Sequence, residues 1–219
     1  MSPKVAIRDI RREELTLAAM KCIASKGYHA VTLDDVTREA GLSKGIAAYY
    51  FKNREDLLVS VIRRMRDDVV ELTGRIWGLP WEGNETEDFY RDLRKYYASE
   101  DIDPRSVIRN GIRTLFSWVD ESPHVLKVIL EFWCQLPRNP VIGELNEAVK
   151  RHLQRTSSII LDEGMKRGVF RKRDPNLAAT TLLSAITGLA LAQIVYKREF
   201  DNRKLEKALE DLIFGYLVG

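Results

Sequence analysis

Apolar side chains recur every three or four residues along almost the entire chain, and no stretch sustains the two-residue alternation of a half-buried strand, so the sequence predicts an all-α fold. Leu15, Ala18, Ala19, Cys22 and Ile23 share one face of a first helix that Gly27 is placed to stop. After the connector 28–31, Thr32 with Asp35 three residues on has the form of a capping box; Leu33, Val36 and Ala40 line the second helix it opens. Gly41-Leu42 reads as a tight turn, and Ser43 as the cap of a short third helix starting at Lys44. Asn53 and Asp56 repeat the capping pattern before a long fourth helix carrying Leu58, Val61, Ile62, Met65, Val69, Leu72 and Ile76 on one face.

Gly78, Pro80, Gly83 and Asn84 mark a loop, and helices separated by turn residues follow. Pro104 introduces Val107, Ile108, Ile112, Leu115, Phe116 and Val119. Pro123 restarts a helix with Leu126, Ile129, Leu130 and Trp133. Pro137 and Pro140 bracket a break before a helix ending near Gly164 or, better, Gly168. Asp174-Pro175 caps the next helix, and Leu205, Leu209, Leu212 and Tyr216 stripe the last. The apolar run 177–195 is interrupted by Thr180, Thr181, Ser184, Thr187 and Gln193, short of the roughly 20 apolar residues of a membrane span, and reads as a buried helix. No membrane partner is expected. The first residues turn charged at once, without the apolar core of a secretory signal, so a cytoplasmic location is expected.

Composition excludes few classes. At 45% hydrophobic and 31% charged residues the chain has enough apolar surface to fold. Cys22 and Cys134 make no disulfide framework, and His29, His124 and His152 lack partners at ligand spacing, so neither metal nor cofactor is expected. Charge is more telling where it concentrates: through Arg54 there are ten Lys and Arg against six Asp and Glu, whereas the whole chain nets only +3. That is the footprint of a face that meets phosphates.

The basic segment coincides with a helix, a turn containing glycine, and a second short helix, the helix-turn-helix unit whose second helix enters the major groove of DNA. Ala40 permits close approach there and Gly41 accepts a strained backbone. Ser43, Lys44, Tyr49, Tyr50 and Lys52 supply donors, Gly45 and Ala47 keep the helix slim, and Arg54 opens the next helix where its charge can grip a phosphate. Arg8, Arg11 and Arg12 precede the unit, either to steer toward or touch the minor groove or simply as a solvated face.

The run 19–58, with Gly27-Tyr28, Thr32-Leu33, Ala40-Gly41-Leu42-Ser43-Lys44-Gly45, Tyr49-Tyr50-Phe51 and Arg54-Glu55-Asp56-Leu57-Leu58, resembles the DNA-binding domain of the TetR family. Ala48 replaces the family's usual tyrosine, and Tyr50 a common histidine. A branch similar to the choline-responsive regulators also has a small residue at the first of these positions. The resemblance implies an N-terminal three-helix helix-turn-helix domain, residues 8–68, and a helical ligand-binding and dimerisation domain, residues 69–219. It further implies a DNA-binding transcriptional regulator, most simply a homodimeric repressor released from a double-stranded DNA operator by a small-molecule effector. By position, Thr32, Tyr49, Tyr50 and Arg54 would touch phosphates, Phe51 would be core, and Ser43, Lys44 and Gly45 would sit at the groove mouth.

In the family the middle helices enclose the effector and the last two form the dimer's four-helix bundle. Trp77, Phe89, Phe116, Trp118, Trp133 and Tyr196 are the aromatic candidates for the pocket, with Glu131 a counter-charge should the effector be cationic. Leu183, Ile186, Leu189, Leu205, Leu209, Leu212 and Tyr216 are candidates for the self-complementary dimer face. No catalytic motif is present, so the chain is not expected to be an enzyme. An all-helical adaptor without DNA binding is the alternative, and it offers no reason for the N-terminal excess of positive charge.

Overall fold

A computed structural model describes residues 3–77, 87–122, 124–195 and 201–218. All regular structure among them is α-helical: α1 (Pro3–Lys26), α2 (Leu33–Glu39), α3 (Ile46–Tyr50), α4 (Arg54–Trp77), α5 (Glu87–Ala98), α6 (Pro104–Glu121), α7 (Val125–Trp133), α8 (Pro140–Lys166), α9 (Pro175–Val195) and α10 (Asn202–Leu217). No described helix is long and apolar enough to cross a membrane.

The helix boundaries follow local chemistry. The Thr32 hydroxyl accepts from Asp35 N while the Asp35 carboxylate accepts from Thr32 N, a complete capping box for α2. Asn53 Oδ1 accepts from Asp56 N at 2.9 Å to open α4, and Asp174 Oδ1 accepts from Asn176 N and Leu177 N to open α9. At the end of α8, Gly168 adopts φ +71°, its N–H bonds to Met165 O, and Val169 N–H bonds to Gly164 O. These two bonds are the Schellman pattern, which satisfies the last carbonyls of a helix.

Two parts of the chain cluster as compact units. The first joins residues through Asp68 to Ser122–Asn146; the second joins Val69–Glu121 to Glu147–Gly219. In the first, α1 packs against α2, α3 and α7, and Leu15, Ile23, Val36, Phe51, Leu57 and Val61 are almost wholly buried. Arg12 ties α1 to the turn after α3 by donating to Tyr50 O and Asp56 Oδ1, with its guanidinium over the Phe51 ring. Thr16 and Ser60 hydroxyls meet at 3.0 Å, and Arg64 pairs with both Glu13 and Asp68. The second unit has a core of Tyr90, Leu93, Tyr97, Ile112, Ile160, Leu161, Phe170, Ala178, Leu209 and Ile213 among others, with α10 packed on α6 and α9.

Several expectations shift. Helix α5 was not anticipated, although Tyr90, Leu93 and Tyr97 are its buried face. Helix α3 starts at Ile46, two residues later than Lys44, because Gly45 takes φ +87° and becomes its N-cap; Ser43 makes no side-chain cap. Helix α7 buries Val125, Val128 and Phe132 most deeply, with Leu126, Ile129 and Leu130 half-buried and Trp133 outward. Lys127 and Glu131, four residues apart, mark the polar side of α7, and docking decides which of the remaining apolar positions turn furthest inward. The inward stripe of α10 is Leu209, Ile213 and Leu217, which turns Leu212 outward at 59% exposure.

Gly164 and Phe170 test how tightly the Schellman turn is packed. A Cβ on Gly164 would overlap the ring of Phe170, itself 3% exposed. Alanine gains up to about 1 kcal/mol of helix propensity, but overpacking a buried ring costs about 1–3 kcal/mol. Gly164→Ala is therefore expected to lower the urea midpoint. Gly143→Ala, whose Cβ would lie 3.9 Å from Leu136 O, should leave it unchanged or raise it.

Candidate nucleic-acid interface

Helices α2 and α3 are joined by the turn 40–45, in which Gly41 (φ +66°) and Gly45 (φ +87°) occupy the left-handed region. Ala47, 1% exposed, lets α3 lie close against its neighbours. What remains outward is a short run of side chains. Ser43, Lys44, Gly45, Ala48, Tyr49 and Lys52 are exposed, Tyr49 at 73%. Lys44 extends from this face with its side chain 87% exposed, its Nζ 3.7 Å from Asp34. Tyr49 stands edge-on to Tyr50, which is half-buried. Arg8 and Arg11 are also exposed, Arg11 pairing with Glu14 at 2.6 Å.

Two of the positive groups face inward. Arg54 donates to Tyr28 O and to Val31 O, the latter at 2.9 Å, and its guanidinium lies over the Tyr28 ring. Arg12 is held by Tyr50 O and Asp56. Burial pushes the Asp56 carboxyl up, but the Lys52 amide and the Arg12 guanidinium outweigh it and hold Asp56 below the usual carboxylate range. Both arginines thus fix the shape of the unit from behind. Thr32 is exposed, yet its hydroxyl is engaged with Asp35 in the capping box.

At the junction between α1 and α2 the fold joins Tyr28 to Glu131, a pairing that the sequence does not indicate. Gly27 (φ +87°) ends α1 by donating to Ile23 O at 2.8 Å. The next amide, Tyr28 N–H, donates to Glu131 Oε2 of α7 at 2.7 Å. Tyr28 is 7% exposed and packs edge-on against Phe132. A carboxylate at a helix C-terminus opposes the macrodipole by about 0.3–1 kcal/mol. A hydrogen bond to a charged group contributes about 1.5–3 kcal/mol, so the bond wins. Glu131 is therefore a fastener for α1, in place of the counter-charge to an effector that sequence suggested. No short-range pattern links residues 28 and 131.

The remaining candidates are spread through the fold. Phe89 and Phe116 pack against the core of the second unit, Trp118 is half-buried, and Trp133 is 36% exposed with its indole N–H donating to Asn146 at 3.2 Å. The Trp77 side chain and Tyr196 lie outside the described residues. Leu183, Ile186, Leu189, Leu205 and Tyr216 are half-buried, Tyr216 beneath the Arg173 guanidinium. Leu209 is 1% exposed in its own subunit's core, which removes it from any interface. Helices α6 and α10 also border an open groove of about 540 Å³ lined by Arg113, Arg203, Glu206, Lys207, Glu210 and Asp211.

Comparison with known proteins agrees with this geometry. Residues 15–61 match the family described as bacterial regulatory proteins, tetR family, and residues 104–217 match the BetI-type transcriptional repressor C-terminal family. The chain is 27% identical over 211 residues to the HTH-type transcriptional regulator BetI of Paraburkholderia phytofirmans, covering 96% of this chain and 95% of that one. With the BetI of Burkholderia cenocepacia the identity is 28%, covering 96% of each. Among solved structures, a putative transcriptional regulator from Saccharomonospora viridis in complex with choline superposes with a TM-score of 0.73 at 23% identity, covering 96% of this chain and 99% of that one. A TetR transcription regulator from Haloarcula marismortui gives 0.71 at 18%, covering 95% and 99%.

The capping box carries a pH signature. The Asp35 carboxyl is drawn down from 3.8 to about 2, first by the Lys26 ammonium at 2.5 Å, then by the Thr32 hydroxyl and amide. A lowered carboxylate stabilises the fold above its unfolded value and loses that contribution as pH falls through its folded one. The urea-midpoint advantage of wild type over Asp35→Asn should hold at neutral pH, narrow below 3.8 and vanish toward 2.

Proposed function

The chain belongs to the TetR family of bacterial regulatory proteins, with a C-terminal half of the BetI repressor type, and on that premise we propose that it works as a homodimeric repressor released from its operator by a small molecule. The observation that carries the reading is the division of labour at α3: cationic and phenolic groups face outward on a helix that Arg12, Ala47 and Phe51 hold rigidly from behind. Residues 8–68 supply the DNA-binding domain, buttressed by α7, and the effector and dimer functions fall to residues 69–219. Ser43, Lys44, Gly45, Tyr49 and Lys52 meet DNA directly. Thr32, Tyr50 and Arg54 act mainly by shaping the surface that carries them.

Dimerisation rests on the uncovered side of α9. This helix carries apolar residues around most of its circumference, broken mainly by small hydroxyl side chains, as expected of one largely buried. Yet Leu177 is 62% exposed, and Thr181, Ser184 and Gly188 follow it along the exposed face, with Leu212 of α10 also outward. Two copies related by a two-fold axis would bury these faces against each other. The separation of the two α3 helices must then match the helical repeat of DNA, about 34–36 Å. Helix α4 runs from Arg54 to Trp77, and in this reading the effector acts by biasing its tilt. Because the Saccharomonospora viridis neighbour holds choline, a quaternary amine is the first effector to test.

Fluorescence anisotropy with duplexes from around the coding region, at several salt concentrations, tests the reading. Specific binding that weakens steeply with salt is expected, and Lys44→Ala should weaken binding while reducing the salt slope by about one for each subunit. Choline at saturation should lower operator affinity if it is the effector. Binding no tighter than to random duplex would overturn the operator reading. By light scattering the wild type should have the mass of a dimer, and Leu212→Glu should shift it toward monomer.

A further inference from the structure

The chemistry of the exposed side of α3 narrows what the protein reads in DNA. Sequence-specific contacts in the major groove usually come from Arg or Lys on guanine, Asn or Gln on adenine, and carboxylates on cytosine. Helix α3, Ile-Ala-Ala-Tyr-Tyr, has none of these. Ile46 and Tyr50 are half-buried and Ala47 is buried, so only Ala48 and Tyr49 project freely from the helix. Ahead of them Gly45 offers no side chain, and nothing lies within 4 Å of where its Cβ would be. Lys44 and Lys52, four residues to either side of Ala48, are exposed cations on flexible stems, suited to phosphates on the groove walls.

The short group between those two lysines is the methyl of Ala48. A helix centred in the groove by its flanking charges therefore presents an apolar contact to the base edges. Among the four bases, only thymine carries an apolar group there, its C5-methyl. We infer that, within the DNA-binding function proposed above, Ala48 reads a thymine methyl in each half-site and is a specificity-determining residue. The remaining discrimination at α3 falls to the Tyr49 hydroxyl, the Lys44 ammonium and the shape of the duplex.

The test starts from duplexes enriched by the full-length protein out of a randomised pool. In an enriched duplex each thymine is replaced singly by deoxyuridine, which removes the methyl and leaves every hydrogen-bonding group in place. Removing one buried methyl should weaken wild-type binding about fourfold, at one thymine per half-site. Ala48→Gly should bind the thymine duplex more weakly and be indifferent to deoxyuridine at that position. Lys44→Ala should weaken both duplexes alike and keep the fourfold ratio. Thermal unfolding of Ala48→Gly establishes that the exposed substitution leaves the fold intact. Wild-type indifference to every thymine replacement, or an unchanged uridine effect in Ala48→Gly, would overturn this inference while leaving the regulator reading standing. Failure to enrich any duplex would overturn both.

Discussion

The geometry of the N-terminal unit depends on how one peptide segment is held. Tyr28 follows the left-handed Gly27 that ends α1, and its N–H, its C=O and its ring are all engaged by distant parts of the chain. In a Schellman turn the amide of this residue would fold back onto its own helix; here a carboxylate of α7 takes it. The same peptide's carbonyl receives Arg54, the first residue of α4. The angle at which α2 leaves α1 is thereby fixed by groups from both α7 and α4. The exposed surface of α3 inherits that angle through its packing on α1 and α2.

This arrangement explains why the basic residues of the N-terminal quarter divide into two sets. A guanidinium makes five donors available in a planar fork, so it can hold backbone carbonyls and stack on a ring at once. Arg12 and Arg54 are used that way, on Tyr50 O with Phe51 and on Tyr28 O with its ring. Lys21, Lys26, Lys44 and Lys52, compact charges on flexible stems, stay at the surface together with Arg8, Arg11 and Arg38. Counting charge along the sequence treats these sets as equal, and only the fold separates them.

What the sequence makes legible is what short-range chemistry determines. The pairs Thr32 with Asp35 and Asn53 with Asp56, the Asp174 cap, and the Gly168 stop each act across a few residues and appear where their spacing places them. The start of α3 escapes the same logic because Gly45, with its positive φ, competes with Ser43 for the role of cap. Helix α5, whose buried face is Tyr90, Leu93 and Tyr97, directly follows a Gly- and Pro-rich stretch and lacks the first-position proline that marks α6, α8 and α9. Packing partners, beyond what spacing marks, decide that Val125, Val128 and Phe132 turn furthest inward on α7 and that Ile213 does so in place of Leu212 on α10. Glu131 and Tyr28, 103 residues apart, share no local pattern at all.

The first compact unit is discontinuous in the chain, since α7 returns to it after more than fifty residues spent elsewhere. During synthesis the helices of the N-terminal quarter leave the ribosome well before the segment that covers Tyr28 exists. Domains tend to form as their residues emerge, at roughly 5–20 residues per second, so this one waits several seconds with an apolar edge bare. Its completion is a late, non-local event with the loop-closure entropy that implies. A fragment cut after Asp68 would lack the α7 segment that covers Tyr28, so a simple N-terminal piece does not reproduce the first compact unit.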